Sequence, residues 1–310
     1  MARTDTTDKR ILHMLTPLKQ MSPFDVNMAL DAGYDATIPY TNVTLEEVSP
    51  LVQDAMFSRP PKLAMRTGMF FGGKNALTAL DMIEAAKAAM FPPFRISLFA
   101  DPAGSFTTAA AMVACVEHVL NNRKNTPSSA ENSGLHGLHV AVFGATGVVG
   151  FSAGVIAALE GAIVTLVGHD GLRRVAEAAA EIRKRFKVDV NAADGSDDGK
   201  KAAILATAEV VLSAARAGVQ VLSKAQIAAA KSLRLVADVN AVPPPGIEGL
   251  DPKANGEPIP GTDVLGIGAL AIGNIKYQTE AGLFRRMVES DKAVCFDFRD
   301  AFALARELNG

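Results

Sequence analysis

Three glycines in Gly144-Ala145-Thr146-Gly147-Val148-Val149-Gly150 are spaced three apart, as in a backbone turn that closes around phosphate. The first glycine permits a tight turn, the second lets the main chain approach a pyrophosphate, and the third lets the next helix pack closely on its sheet. Unpaired N–H groups at that helix start supply partial positive charge. Gly144, Thr146, Gly147, Val148 and Val149 are therefore candidate contacts for a dinucleotide, NAD and/or NADP, the alternative being a glycine-rich turn with packing value only. The cofactor choice falls on Val167-Gly168-His169-Asp170-Gly171-Leu172-Arg173-Arg174. Asp170 can accept the ribose hydroxyls of NAD, with His169 beside it. Arg173 and Arg174 either meet a 2′-phosphate or form a solvated first helical turn. Ser213, Ala214, Asp238 and Asn240, at or just past later strand ends, complete the candidate cofactor contacts.

Positioning these residues requires a strand, a turn and a helix in immediate succession. Leu138 to Phe143 reads as the strand and Val148 to Leu159 as the helix. The pattern continues with strand Ile163 to Val167, helix Leu172 to Phe186, strand Val188 to Asn191, strand Glu209 to Ala214, helix Lys224 to Lys231, strand Leu233 to Val239 and an apolar run Val264 to Ile272. Two successive βα sets predict a Rossmann-type doubly wound parallel sheet over residues 126–274. Before it, Asn121 to Gly137 is polar and without periodicity, as a linker would be.

The first part of the chain is a second α/β layer. Strands are predicted at Arg10 to Thr16, Ala36 to Tyr40, Lys62 to Phe71 and Phe94 to Phe99. Helices are predicted at Pro23 to Ala32, Thr44 to Phe57, Leu77 to Met90 and Ser105 to Leu120, with a capping-box spacing at Thr44 to Glu47. The tail, Ile275 to Leu308, reads as two helices that return to this first domain, which then comprises residues 1–125 and 275–310.

Composition narrows the partners. Of 310 residues 49% are hydrophobic and 21% charged, enough apolar content for a sizeable core. A net charge of -2 gives no basic field for nucleic acid or an anionic membrane. Cys115 and Cys295, the two cysteines, sit in apolar settings and read as buried reduced thiols of a cytoplasmic protein. No metal site is expected, because His136 and His139 have no Cys, Asp or Glu nearby to complete a ligand set. Met1 to Arg10 is polar and unlike a signal peptide. Val140 to Leu159 is uncharged over about a bilayer's thickness, but its glycines and alternating start favour a buried strand, turn and helix.

Several segments together resemble the NAD(P)-dependent methylene-tetrahydromethanopterin dehydrogenases of methylotrophic bacteria, some of whose relatives also accept methylene-tetrahydrofolate. They are Pro23-Phe24-Asp25-Val26, Tyr40-Thr41-Asn42-Val43-Thr44, Phe71-Gly72-Gly73, Pro93-Phe94-Arg95-Ile96-Ser97, the run from Asp101 to Ala110, the run from Lys184 to Val188, and the block from Gly268 to Lys276. No single one is diagnostic, but their order and spacing cover nearly the whole chain. The resemblance implies hydride transfer from the methylene carbon of a reduced pterin to the nicotinamide, in a cleft between the domains, by a homo-oligomer with a trimer as one arrangement. It places a lysine, matching Lys276, close to the reacting centre; the bland alternative is a helix-end surface lysine. Asp25 is a candidate for accepting the pterin's N–H groups, or else a first-turn helix charge. Asp101, Ser105, Thr107 and Thr108 either contact substrate at the mouth of the cleft or cap the following helix. NADP-specific relatives carry Arg-Lys where this chain has His169-Asp170, which favours NAD or dual use and the methanopterin branch over the folate-tolerant one. Two other readings remain open: another dehydrogenase on this scaffold, of shikimate or folate type, and a non-catalytic nucleotide sensor.

Overall fold

The computed structural model describes residues 9–123 and 134–310. The polar N-terminal reading therefore falls largely outside the described residues, as does most of the linker. The chain divides into two compact units, Met1–Thr107 with Tyr277–Leu304 and Thr108–Lys276 with Ala305–Gly310.

In chain order the first unit begins with β1 (Ile11–Leu15), α1 (Pro23–Asp31), β2 (Ala36–Tyr40), α2 (Leu45–Phe57), α3 (Pro61–Ala64), β3 (Thr67–Phe71), α4 (Ala76–Ala89) and β4 (Ser97–Ala100). Helix starts follow local chemistry. The Asn75 side chain accepts from Thr78 N at 3.0 Å, and the Thr44 N–H donates to Glu47 Oε2 at 2.7 Å. The strand expected over Lys62 to Phe71 begins only at Thr67. Pro60 and Pro61 start a helical turn instead, because a proline at the first helical position loses no hydrogen bond and has its φ preset.

The helix α5 (Ser105–Arg123) leads into the second unit, whose elements are β5 (His139–Phe143), α6 (Val148–Leu159), β6 (Ile163–Gly168), α7 (Arg173–Phe186), β7 (Asn191–Asp194), α8 (Asp198–Leu205), β8 (Val210–Ser213), α9 (Lys224–Ala229), β9 (Leu235–Asp238), β10 (Asn255–Pro258) and β11 (Leu265–Ile267). The chain ends in α10 (Ala269–Glu289), β12 (Cys295–Phe296) and α11 (Phe298–Asn309). Strand β7 lies three residues later than expected. Lys187 ends α7 in the left-handed region at φ 60°, and residues 188–190 are spent returning the chain to the sheet. The apolar run Val264 to Ile272 splits between β11 and the start of α10, which therefore begins before Ile275.

Five strands make the first sheet in the order β12-β4-β3-β1-β2, all parallel. Every β3 and β4 residue is buried, as strands covered on both faces require. Phe284 of α10 packs on Phe70 and Phe99, with ring centroids 5.4 and 5.1 Å away. The second sheet runs β10-β11-β9-β8-β5-β6-β7, with only β10 antiparallel. Counting β5 as the first of its six parallel strands, the order is 3-2-1-4-5-6, and it reverses between β5 and β8. Among the described residues one helix, Pro102–Asn122, is long and apolar enough to cross a membrane, and 78% of its apolar window is buried inside the protein. Val140 to Leu159 is the expected strand, turn and helix.

Candidate dinucleotide and substrate sites

The turn from β5 into α6 stands at the carboxyl edge of the second sheet, at the strand where the order reverses, the position at which open α/β sheets bind ligands. Gly144 has φ 75°, and a side chain on it would collide with the Ala214 carbonyl at the end of β8. Ala214 N in turn donates to Phe143 O at 2.9 Å. A side chain at Gly150 would collide with the Gly144 carbonyl, so the third glycine brings α6 down onto the turn. Gly147 is different. Its backbone is extended, a side chain would meet only Gly144 O at 3.3 Å, and it is exposed together with Thr146. As N-cap of α6 it offers no side-chain acceptor, so the first-turn N–H groups remain for an incoming anion. The cradle therefore fits a pyrophosphate.

One strand outward, β6 ends in a fold as tight as the first. A side chain at Gly168 would collide with Gly171 O, and Gly171 has φ 108°. This turn presents Asp170 and the first residues of α7. Arg174 Nη1 donates to Asp170 Oδ2 at 3.3 Å, both side chains being about half exposed, and His169 Nδ1 lies 3.9 Å from Asp170 Oδ1. The Arg174 hydrogen bond holds the Asp170 carboxyl below its ordinary value.

Beyond β8 and β9 the candidate contacts are also tied into the scaffold. Asp238 is fully buried; its Oδ1 accepts from Asn240 N and its Oδ2 from Ile247 N, both at 3.1 Å. Burial pushes its pKa up. Asn240 accepts from Val242 N at 2.9 Å and donates to Pro244 O at 3.2 Å. Ser213 Oγ and Asp238 Oδ2 would each lie 2.8 Å from a side chain on Gly246. Ser213, Asp238 and Asn240 thus shape the segment 239–247 over the strand ends.

Lys276 also belongs to this second unit. It lies two turns into α10, half-buried, so it is not a helix-end lysine. The other substrate candidates lie in or at the edge of the first unit. Asp25 is the third residue of α1 and 2% exposed, with its N–H donating to Ser22 Oγ at 3.4 Å. Asp101 follows β4 and is wholly buried. Its Oδ1 accepts from Phe106 N at 2.8 Å, and its Oδ2 accepts from Thr107 Oγ1 at 2.6 Å. Asp101 and Thr107 therefore cap α5, while Ser105 and Thr108 are half-buried in its first turn. Burial raises the Cys115 thiol pKa to about 12 and that of Cys295 to about 11; Cys295 is only half-buried, contrary to the expectation. Among the described residues no three His, Cys, Asp or Glu side chains converge as a metal site.

Asp194, Gly195 and Ser196 were not anticipated at the site. Gly195 N donates to Gly168 O at 2.8 Å, and a side chain on Gly195 would collide with Val167, so the end of β7 closes against the Asp170 turn. The misplaced β7 concealed them. The signal present was Asp197 as an N-cap acceptor before a helical run.

A glycine-rich turn at the reversal point of a largely parallel sheet, with an uncapped helix behind it, is an arrangement with which open α/β proteins hold ligands. Known proteins narrow this. The family model for the N-terminal part of methylene-tetrahydromethanopterin dehydrogenase matches residues 23–103. The chain is 52% identical over 302 residues, 97% of its length and 99% of the relative's, to the NAD(P)-dependent methylenetetrahydromethanopterin dehydrogenase of Methylorubrum extorquens. It is 34% identical over 97% of its length, and 99% of the relative's, to the bifunctional protein MdtA of the same organism. The chain belongs to the methylene-tetrahydromethanopterin dehydrogenase family. In fold alone it is similar to shikimate 5-dehydrogenase of Listeria monocytogenes, with a TM-score of 0.50, 11% identity and coverage of 93% of this chain and 94% of that one.

Proposed function

We propose that this protein is an NAD(P)-dependent dehydrogenase that removes a hydride from the methylene carbon of methylene-tetrahydromethanopterin, leaving the methenyl cation, as a step in one-carbon oxidation. The observation that carries the redox half is the Gly144–Gly150 turn, whose first and third glycines the fold itself requires and whose second is left exposed. The substrate half rests on kinship over nearly the full chain with the Methylorubrum enzyme of that name. When bound, the nicotinamide supplies the hydride acceptor. Gly144, Thr146, Gly147, Val148 and Val149 would hold the pyrophosphate, and Asp170 and Arg174 the adenosine ribose end.

The methylene carbon lies between two nitrogens that share the positive charge of the product, so the protein's work is positioning and field more than strong base catalysis. In this reading the second unit is a Rossmann-type domain, and the first unit, with the C-terminal helices returning to it, binds the pterin. Asp25, a carboxylate kept from water, accepts two N–H donors of the pterin. Lys276 acts at the reacting centre. The protein works in the cytoplasm as a homo-oligomer, with neither nucleic acid nor membrane as partner.

The test is absorbance-monitored reduction of NAD and of NADP with methylene-tetrahydromethanopterin and methylene-tetrahydrofolate in parallel. Turnover with the methanopterin substrate is expected. Turnover with the folate alone would move the reading to the folate branch, and tight nucleotide binding without turnover would make the protein a sensor.

A further inference from the structure

The amino ends of β5, β8 and β9 lie side by side, at the edge of the second sheet opposite the glycine-rich turn. The main chain ties them together. Glu209 N donates to His139 O at 2.9 Å, and Arg234 N donates to Glu209 O at 2.8 Å. A groove of about 510 Å³ opens there, with His139, Thr207, Glu209, Lys231, Ser232 and Arg234 in its lining. That volume is in the range of small-molecule sites. None of these residues belongs to the candidate sites described above.

The hydrogen bonds give the groove its sign. Both oxygens of its one carboxylate already have donors: Glu209 Oε1 lies 2.8 Å from Arg234 Nη2, and Glu209 Oε2 accepts from His139 N at 3.1 Å. The carbonyls at the end of α8 are occupied too. Ile204 O accepts from Thr207 Oγ1 at 3.5 Å, and Ala206 O accepts from Ser232 Oγ at 3.2 Å. These bonds quench the negative pole of that helix end, which would otherwise favour a cation. Donors remain in surplus. Among the described residues neither the Lys231 ammonium nor the His139 ring has a hydrogen-bond or ion-pair partner, and the Arg234 side chain, 55% exposed, commits one edge of its guanidinium to Glu209.

We infer that this groove is a second ligand site, which takes a small multivalent oxyanion, phosphate or polycarboxylate, on Lys231, Arg234 and His139. Two fixed cations against one carboxylate leave it positive, and an oxyanion supplies the acceptors that the unspent donors lack. The five residues of β5, at about 3.3 Å each, put the groove roughly 15 Å from the Gly144–Gly150 turn. That exceeds the Debye length of about 8 Å at physiological salt, so the two sites fill independently.

The test is titration calorimetry of the purified protein with pyrophosphate and with citrate. At least one is expected to bind with a dissociation constant of about 1 mM or tighter. Binding of pyrophosphate alone identifies the ligand class as phosphate, and binding of citrate alone as polycarboxylate. Lys231→Glu is expected to weaken the bound anion about 10-fold or more, the scale of one charge-assisted hydrogen bond, while Lys231→Arg keeps it. Lys253→Glu makes the same charge change at an exposed site elsewhere on this unit, and is expected to leave binding within about twofold. No heat from either anion at about 10 mM would overturn the assignment, as would equal losses in Lys231→Glu and Lys253→Glu. Binding lost in Gly147→Val but kept in Lys231→Glu would place the anion in the glycine-rich turn and overturn it as well. Lys231 is exposed, and thermal unfolding confirms that its variants are folded.

Discussion

Gly144 and Gly147 are the same residue in one loop, yet the backbone asks different things of them. At φ 75° and against the Ala214 carbonyl, Gly144 cannot carry a side chain without damage to the fold. The left-handed conformation alone costs an ordinary residue about 1–2 kcal/mol, before the collision is counted. Gly147 has extended backbone and an outward face. Gly147→Val is therefore expected to keep a near-normal unfolding midpoint and to lose NAD binding, because the side chain occupies the path of the pyrophosphate. Gly144→Val is expected to lower the midpoint in urea whether or not NAD is present. A folded Gly147→Val that still binds NAD would misplace the cofactor loop. For Lys276→Ala the expectation is the opposite split: NAD affinity within a few-fold and turnover reduced by about 100-fold, the scale of one lost electrostatic contact in a transition state. Unchanged turnover would remove Lys276 from the reacting centre. These roles were legible unequally. The glycine spacing foretold the tight turn between strand and helix, whereas the burial of Asp25, Asp101 and Asp238 could not be read from single carboxylates in sequence.

At the level of elements, Asp101 is a candidate substrate contact that also serves as a cap. It accepts from two backbone N–H groups and from the Thr107 hydroxyl at the start of α5. Asp101→Ala should destabilise the protein by about 2 kcal/mol, the upper range for an N-cap, seen as a lower urea midpoint. A variant that instead raised KM at unchanged stability would give Asp101 a substrate role and no capping weight. The turn from β7 to α8 gives a pH-dependent case. Lys200 and Ser196 hold the Asp194 carboxyl at a pKa of about 2, below the ordinary 3.8. A depressed folded pKa adds stability above the unfolded value, and that stability is lost as pH falls through the folded one. The urea midpoint of Asp194→Asn should therefore lie below that of the parent at neutral pH, and the gap should narrow from 3.8 towards about 2. Helix α2 was readable from its capping-box spacing and α6 from the glycine turn before it and its apolar run. The strand expected at Lys62 and the early β7 were not, because Pro61 and a left-handed Lys187 redirect the backbone without changing the run of apolar residues. The short polar strand β10 gave no pattern at all: it is an antiparallel edge with a register shift and a terminal proline.

At the scale of the whole molecule, two α/β layers were expected, and one unit with a parallel sheet and one with a mixed, largely parallel sheet are present, because buried parallel strands leave near-continuous apolar runs that survive small errors in their ends. The last turn of α11 carried no such signal, yet it is tied firmly into the second unit. Arg306 donates Nε to Glu117 Oε2 at 2.6 Å and Nη2 to Glu117 Oε1 at 2.7 Å, and it also bonds Glu160. Glu117 is 4% exposed, so removing the arginine leaves a buried carboxylate without its fork. Breaking such a pair costs about 3–5 kcal/mol when both partners are buried, and about 2 kcal/mol is expected here because Arg306 is 40% exposed. Arg306→Ala should lower the urea midpoint accordingly. Arg306→Lys should recover only part of it, since an ammonium cannot span both oxygens. The decisive variant is Arg306→Ala/Glu117→Gln. If the loss comes from an unpaired buried charge, neutralising Glu117 restores much of the stability. If the double variant is as unstable as the sum of its parts, the arginine stabilises through packing of its stem, and the C-terminal turn is held by contact area instead of charge.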